Sequence, residues 1–256
     1  MKIERKVLLQ AVGVMERAFR RLECQVPPPE KRPDRHSFVL RYTDQSIEQA
    51  LIQKLARYIS GLHAIDVLLL NGLIQEQAVI QRTLDEIGED TQFLVLPLTN
   101  DVVNPLHEQY LAAFWEEEFD AVTPLKSKQK RNYPPRQKIR AYCSRIGGLA
   151  DPSTANEVGR TISKTYSGYV HASSPQIMDM CGGSPPQFHV QGMNGTPRIG
   201  EHTRDAWNYF YRGLLAVTAV AKAFGDSELV KQLYDYIRKF EQATGTEYFE
   251  GTFRDL

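Results

Sequence analysis

Apolar residues recur at helical spacing through most of this chain, in long stretches that end at proline or glycine. Val7, Leu8, Ala11, Val14, Met15 and Phe19 lie on one side of a helix expected over about residues 3–24. Pro27, Pro28 and Pro29 end it, because consecutive prolines cannot continue a hydrogen-bonded helix. Residues 25–43, with Pro33 and its charged neighbours, read as a proline-rich loop or arm. A second helix is expected from an N-cap at Asp44 or Ser46 to Asn71-Gly72, and a third from Leu73 or Gln75 to Leu96, where Pro97 halts it. A fourth spans Pro105 to Phe119, and a short fifth Arg136 to Ile146, closed by Gly147-Gly148. Ser153 or Thr154 caps the next helix, which continues to Ser173, and two more run over about 201–224 and 227–244. The expected fold is all-α: one domain over 1–256, a bundle of seven or eight helices with one small β-hairpin excursion near 181–200.

That excursion belongs to a glycine- and proline-rich insertion, 174–200. Gln187 to Gln191 alternates like a strand, and Asn194-Gly195 is a strong hairpin-turn signal. A structureless loop of this length either plugs one end of a bundle or covers a site.

Charge is distributed unevenly. The 256 residues hold 31 basic and 31 acidic side chains, yet residues 121–150 contain no carboxylate. They carry Lys126, Lys128, Lys130, Arg131, Arg136, Lys138, Arg140 and Arg145. Such an island attracts phosphates, an acidic protein partner or the chain's own acids, of which Glu116 to Asp120 and the stretch from Glu241 to Asp255 are the nearest blocks. Tyr133 and Tyr142 interleave with the cations, as in surfaces that follow a nucleic-acid backbone and stack bases. The aromatics of the final segment, Tyr248, Phe249 and Phe253, are expected to dock on this chain or a neighbour, which leaves a homo-oligomer open.

Two helix faces carry groups that could do chemistry. Arg160, Lys164, Ser167 and His171 align opposite an apolar stripe that includes Tyr166 and Tyr169, so a hydroxyl and an imidazole lie beside cations. A solvated polar face accounts for the same pattern. On the third helix, Arg82 can pair with Asp85 or Glu86, a contact that on an exposed helix stabilises by only a few tenths of a kcal/mol. In a functional version this face is internal and meets Ser167 or His171 across the bundle.

The stretch GLIQEQAVIQRTLDEIGEDTQFL, followed about seventy residues later by SKTYSGYVHAS, resembles a group of bacterial helical proteins of unassigned function. The resemblance covers about residues 46–175 and rests on Arg82, Asp85 or Glu86, Tyr166, Ser167 and His171. It implies a helical bundle of bacterial origin and supplies no reaction. A more distant resemblance is to HEPN bundles, many of which cleave RNA in toxin and defence systems. Their strict motif is absent: Arg57 and His63 are one residue too far apart, and Arg160 and His171 are eleven positions apart.

Other classes lack their signatures. There is no His-Glu-x-x-His, Cys-x-x-Cys, EF-hand loop, phosphate-binding glycine motif or Gly-x-Ser-x-Gly elbow, so no metal or cofactor is expected. Three widely spaced cysteines and no secretory or membrane-spanning segment fit a cytoplasmic protein that avoids membranes. Three readings follow. The first is a binding module using Lys126, Lys128, Lys130, Arg131, Tyr133, Arg136, Lys138 and Arg140, or a pocket under the 174–200 loop. The second is a metal-independent ribonuclease relying on His171, Ser167 and Arg160, with Arg82 as an alternative cation. The third is a small-molecule enzyme using Arg82, Glu86, Tyr166 and His171.

Overall fold

The computed structural model describes residues 5–34, 37–117, 121, 123–128, 130–146 and 166–245. The long helices are α1 (Arg5–Glu23), α2 (Ile47–Leu70) and α3 (Ile74–Asn100), followed by α4 (Pro105–Trp115) and α5 (Arg136–Ile146). Residues 166–170 are helical and lead to the short α6 (Ser174–Met178). The chain closes with α7 (Arg198–Ala223) and α8 (Ser227–Thr244). The fold is all-α, with two small antiparallel hairpins beside the helices.

Local signals set several of these ends. Ser46 begins α2 with a capping box: its hydroxyl accepts from the Gln49 N–H, and the Gln49 side chain accepts from the Ser46 N–H. Asn104 does the same for α4 with His107, and Asp226 caps α8 at Leu229. One continuous core draws on α1, α2, α3, α4, α5, α7 and α8. Trp207 stacks between Tyr211 and Phe240, at 5.0 and 5.9 Å between ring centroids. Gly213 lets α7 approach α1 and α2 closely, since a Cβ there would lie 2.9 Å from Met15 and 3.0 Å from Tyr58.

α3 is the central helix, packed against α2, α5 and α7. This explains why its surface is not the simple amphipathic one its pattern suggests. Beside Leu84, Phe93 and Leu94 it buries Gln77, Gln81, Asp85 and Asp90.

The structure corrects four boundaries. Pro97 does not halt α3, which continues to Asn100. The missing N–H frees the Phe93 carbonyl, and the His107 ring stacks on Phe93 at 4.2 Å. The proline-rich arm is a hairpin, with β1 (Glu30–Asp34) paired to β2 (Ser37–Arg41) so that Glu30 faces Arg41 and Pro33 faces Phe38. Helix α4 ends at Trp115 instead of reaching Phe119. The second hairpin pairs β3 (Cys181–Gly182) with β4 (Gln187–Phe188), so its turn lies at 183–186 and not at Asn194-Gly195.

Asn194 instead fastens the insertion to the bundle. Its side-chain amide donates to the Leu70 carbonyl, and the Met193 N–H donates to the Gly72 carbonyl at 2.7 Å. Met193 is buried against the α2–α3 turn, and Gln75 reaches the Gln176 carbonyl. Gly72 has φ 71°, and a Cβ there would sit 2.6 Å from the Asn194 nitrogen, so only glycine fits. The insertion plugs this end of the bundle. Between the insertion and the α2–α3 turn lies a cavity of about 20 Å³, close to the space of one water.

Candidate functional site

The basic segment divides in two. On α5, Arg140 pairs with Glu89 at 2.8 Å, and Arg136 grips Asp90 while approaching Glu86 and Glu89 at 3.9 Å. Asp90 also receives Lys54 from α2 at 2.7 Å, and Lys54 lies over the Tyr110 and Phe114 rings. The side chain of Asp90 is only 3% exposed, so both cations are needed to compensate it. The acids that neutralise α5 therefore belong to α3, not to the Glu116 block that its place in the sequence suggests. Arg82 pairs with Glu86 at 2.7 Å on the same side of α3, so this pair also serves the α3–α5 contact.

The other half of the segment faces outward. Lys126, Lys128, Lys130, Arg131 and Lys138 are exposed. Arg131 lines an open groove of about 430 Å³ between the β1–β2 hairpin and the C-terminal end of α4. Arg32 and Arg41 line it from the hairpin; Tyr42, Phe114 and Trp115 supply aromatic surface. Tyr42 meets Trp115 edge-on at 6.4 Å, and Phe114 meets it at 4.8 Å. The Trp115 indole N–H is buried with no hydrogen-bond partner among the described residues.

Glu116 and Glu117 also line this groove. Arg41 takes Glu117 in a two-pronged pair at 2.7 and 2.8 Å, and that bond, with Arg32 and Arg131 nearby, holds the Glu117 carboxyl below its ordinary value. Arg131 donates to the Glu116 backbone carbonyl at 3.3 Å and leaves the Glu116 carboxylate aside. Arg32 makes no ion pair among the described residues. Nearby, Lys31 lies over the Phe38 ring at 4.6 Å, and Phe38 and Leu40 are half exposed. Tyr133 packs edge-on against Tyr110 at 5.3 Å, so its ring anchors the segment to α4.

The catalytic candidates do not assemble as their pattern suggests. Among the described residues, no hydrogen bond or ion pair links His171 or Ser167 to Arg82 or Glu86. His171 is exposed, while the Arg82–Glu86 pair faces α5. Arg160 and Lys164 lie outside the described residues, as do Gly147-Gly148, the Ser153 or Thr154 cap and the aromatics of 248–253. His63 pairs with Glu16, and Asp66 with Arg5. Among the described residues no cluster of His, Cys, Asp and Glu is placed to hold a metal ion, and no helix is long and apolar enough to cross a membrane.

Tyr166 is linked to α3 by way of Tyr209 on α7, whose hydroxyl donates to Asp85, within a set of α7 residues that the spacing had not marked. Gln77, Gln81 and Asp85 form one line on α3; His202, Asp205, Tyr209 and Arg212 form the facing line on α7. Arg212 donates to Asp85 at 2.6 Å, and the Tyr209 hydroxyl donates to it at 3.2 Å. Tyr166 meets the Tyr209 ring edge-on at 6.3 Å, and burial pushes its phenol up to about 12. At the other end, Nδ1 of His202 lies at hydrogen-bond distance, 2.9 Å, from the Gln77 side-chain amide. Burial pushes the His202 pKa down and the Asp205 pKa up, which favours the neutral form of each. Tyr169 packs on His202 and donates to Asp179, which Arg198 also holds at 3.1 Å. Both amide atoms of Gln81, midway along the seam, lack partners among the described residues. The signal in the sequence was the run of polar residues at helical spacing on both helices. It was hidden because the same spacing describes a solvated face.

No protein-family model matches the chain, and neither curated proteins nor solved structures give a match to it.

Proposed function

We propose that this protein is a binding module for single-stranded nucleic acid, and that the strand lies in the groove between the β1–β2 hairpin and α4. The observation that carries the reading is the lining of that groove: the guanidiniums of Arg32 and Arg131, beside the Arg41–Glu117 pair, around a floor of Tyr42, Phe114 and Trp115. Phosphates need cations, unpaired bases need rings, and a groove combining both suits a strand whose bases are not already paired. Lys126, Lys128 and Lys130 extend the positive surface beyond Arg131.

Fluorescence anisotropy with a short single-stranded RNA at low and moderate salt tests this. Binding is expected to fall as salt rises, because phosphate contacts release counterions. Replacing both Arg32 and Arg131 by glutamate should weaken it about tenfold or more and flatten the salt dependence. Trp115→Ala should cost about 1–3 kcal/mol, the worth of one stacked base. Salt-insensitive binding, or full affinity in the double variant, would refute the reading. Loss of intact RNA on a gel, abolished by His171→Ala, would replace it with the ribonuclease reading.

A further inference from the structure

A second cleft, of about 390 Å³, is lined by residues of α3 and α7 beyond the polar seam, with Tyr58 of α2 and Tyr234 of α8. Its volume falls in the range of small-ligand sites. Leu215, Ala216 and Ala219 form its apolar wall along α7, with Arg212 at one end and Lys222 at the other. These two cations are ten residues apart on one helix, hence about 15 Å along its axis.

The polar groups in the cleft are not equivalent. The hydroxyls of Thr91 and Thr218 donate to the Ile87 and Leu214 carbonyls of their own helices, and the Tyr58 hydroxyl donates to the Tyr209 carbonyl. These donors are therefore consumed. Asp85 is paired with Arg212, and Glu89 is paired with Arg140 through Oε1, while its Oε2 has only Arg136 at 3.9 Å and no hydrogen bond among the described residues. Lys222 forms no ion pair among the described residues.

Arg212 is held ready for a ligand. Asp85 fixes Nη1 at 2.6 Å, and the Tyr209 ring lies under the guanidinium at 5.3 Å. The neighbouring position on α3 is Gly88, where an added Cβ would lie 3.8 Å from Nη2 of Arg212 and 3.7 Å from Tyr58. A larger residue there would stand against the free edge of the fork. A guanidinium immobilised by one carboxylate, with its second edge facing an apolar cleft, suits an anionic oxygen pair because little ordering remains to be done.

We infer that this cleft binds an amphiphile with a single carboxylate head, such as a fatty acid: the head on Nη2 of Arg212, the chain along Leu215, Ala216 and Ala219 towards Lys222. This site is separate from the nucleic-acid groove, since the two share no lining residue.

Calorimetric titration of the full chain with decanoate, kept below its micelle concentration, tests the assignment against decyltrimethylammonium, which has the same tail and the opposite charge. Saturable binding of decanoate with at least about tenfold weaker binding of the cation is expected. Arg212→Lys keeps the charge beside Asp85 but loses the fork, and should weaken decanoate at least about tenfold. Ala219→Trp fills the chain path and should abolish binding, and thermal melts monitored by circular dichroism establish that each variant is folded. Equal binding of the two amphiphiles, unchanged affinity in folded Arg212→Lys, or no saturable decanoate binding to the wild-type chain would each overturn the proposal.

Discussion

Arg140 lies 2.8 Å from Glu89 and Arg136 grips Asp90, whereas Arg131, a few residues earlier, makes no ion pair among the described residues and donates to the backbone carbonyl of Glu116. Both halves belong to one carboxylate-free stretch and have the same formal charge per residue type. Arg136 and Arg140 are spent on attaching α5 to α3; the outward half, which includes Lys138 on the same helix, leaves its charge available to a partner. A run of cations in a sequence thus states how much positive charge exists, and the neighbouring helix decides how much of it a ligand can use.

The largest effect should come from breaking the inward half. Asp90→Ala leaves Lys54 and Arg136 facing each other without their shared carboxylate, and should cost about 3–5 kcal/mol in a urea melt. The outward half should behave oppositely. Replacing Arg32 and Arg131 by glutamate should change stability by no more than about 0.5 kcal/mol, because surface positions away from caps and cores rarely matter more. The same variant should lose RNA binding. Salt sharpens the contrast: at about 1 M, where screening acts over roughly 3 Å, strand binding should vanish while the melting transition of the wild type persists.

A smaller effect separates buried from solvated titrating groups. Burial depresses the pKa of His107 and His202 below the ordinary 6.5. For His202, Asp205, Asp179 and Glu201 oppose this shift without reversing it, while Arg198 reinforces it. The unfolded chain then takes up protons first, so the stability these residues contribute is complete above pH 6.5 and is lost as pH falls below it towards the folded-state values. His202→Gln should flatten that part of the pH–stability curve, measured by chemical denaturation at successive pH values. Asp205 acts with the opposite sign: its raised pKa penalises the charged form, so Asp205→Asn should help most near neutrality and least in acid.

The smallest contrast sets Cys143 of α5 against Cys24 just past the end of α1. Burial raises the pKa of the Cys143 thiol to about 12, while Cys24 is exposed. Under mildly alkaline alkylation, mass spectrometry should find Cys24 modified well before Cys143, with the difference disappearing in denaturant.

Much of the helical frame was legible because its determinants are local. The span 227–244 coincides with α8, and Ser46 caps α2 through a neighbour three residues away. The β1–β2 hairpin was missed because the prolines around it signal irregular chain, while pairing Glu30 with Arg41 depends on closing the chain upon itself. Pro97 was read as a stop because the rule considers one helix at a time. In the fold, the surrounding core, including the stacked His107, surrounds the interrupted turn. Of the site residues, Arg131 and its lysines could be read as cations, but the partners they share the groove with, Arg32, Tyr42 and Trp115, come from distant parts of the chain.

By itself, the order of residues determined a helical protein with particular caps, breaks and a carboxylate-free basic stretch, because helix formation and chain reversal depend on neighbours within one or two turns. Only the tertiary structure decided that α3 is buried on several sides, that Asp85 and Asp90 become the anchors of α7 and α5, and that Arg131 stays outside. The reason is physical: a charge acts according to its solvent and its nearest counter-charge, and both are set by packing between segments far apart in the chain.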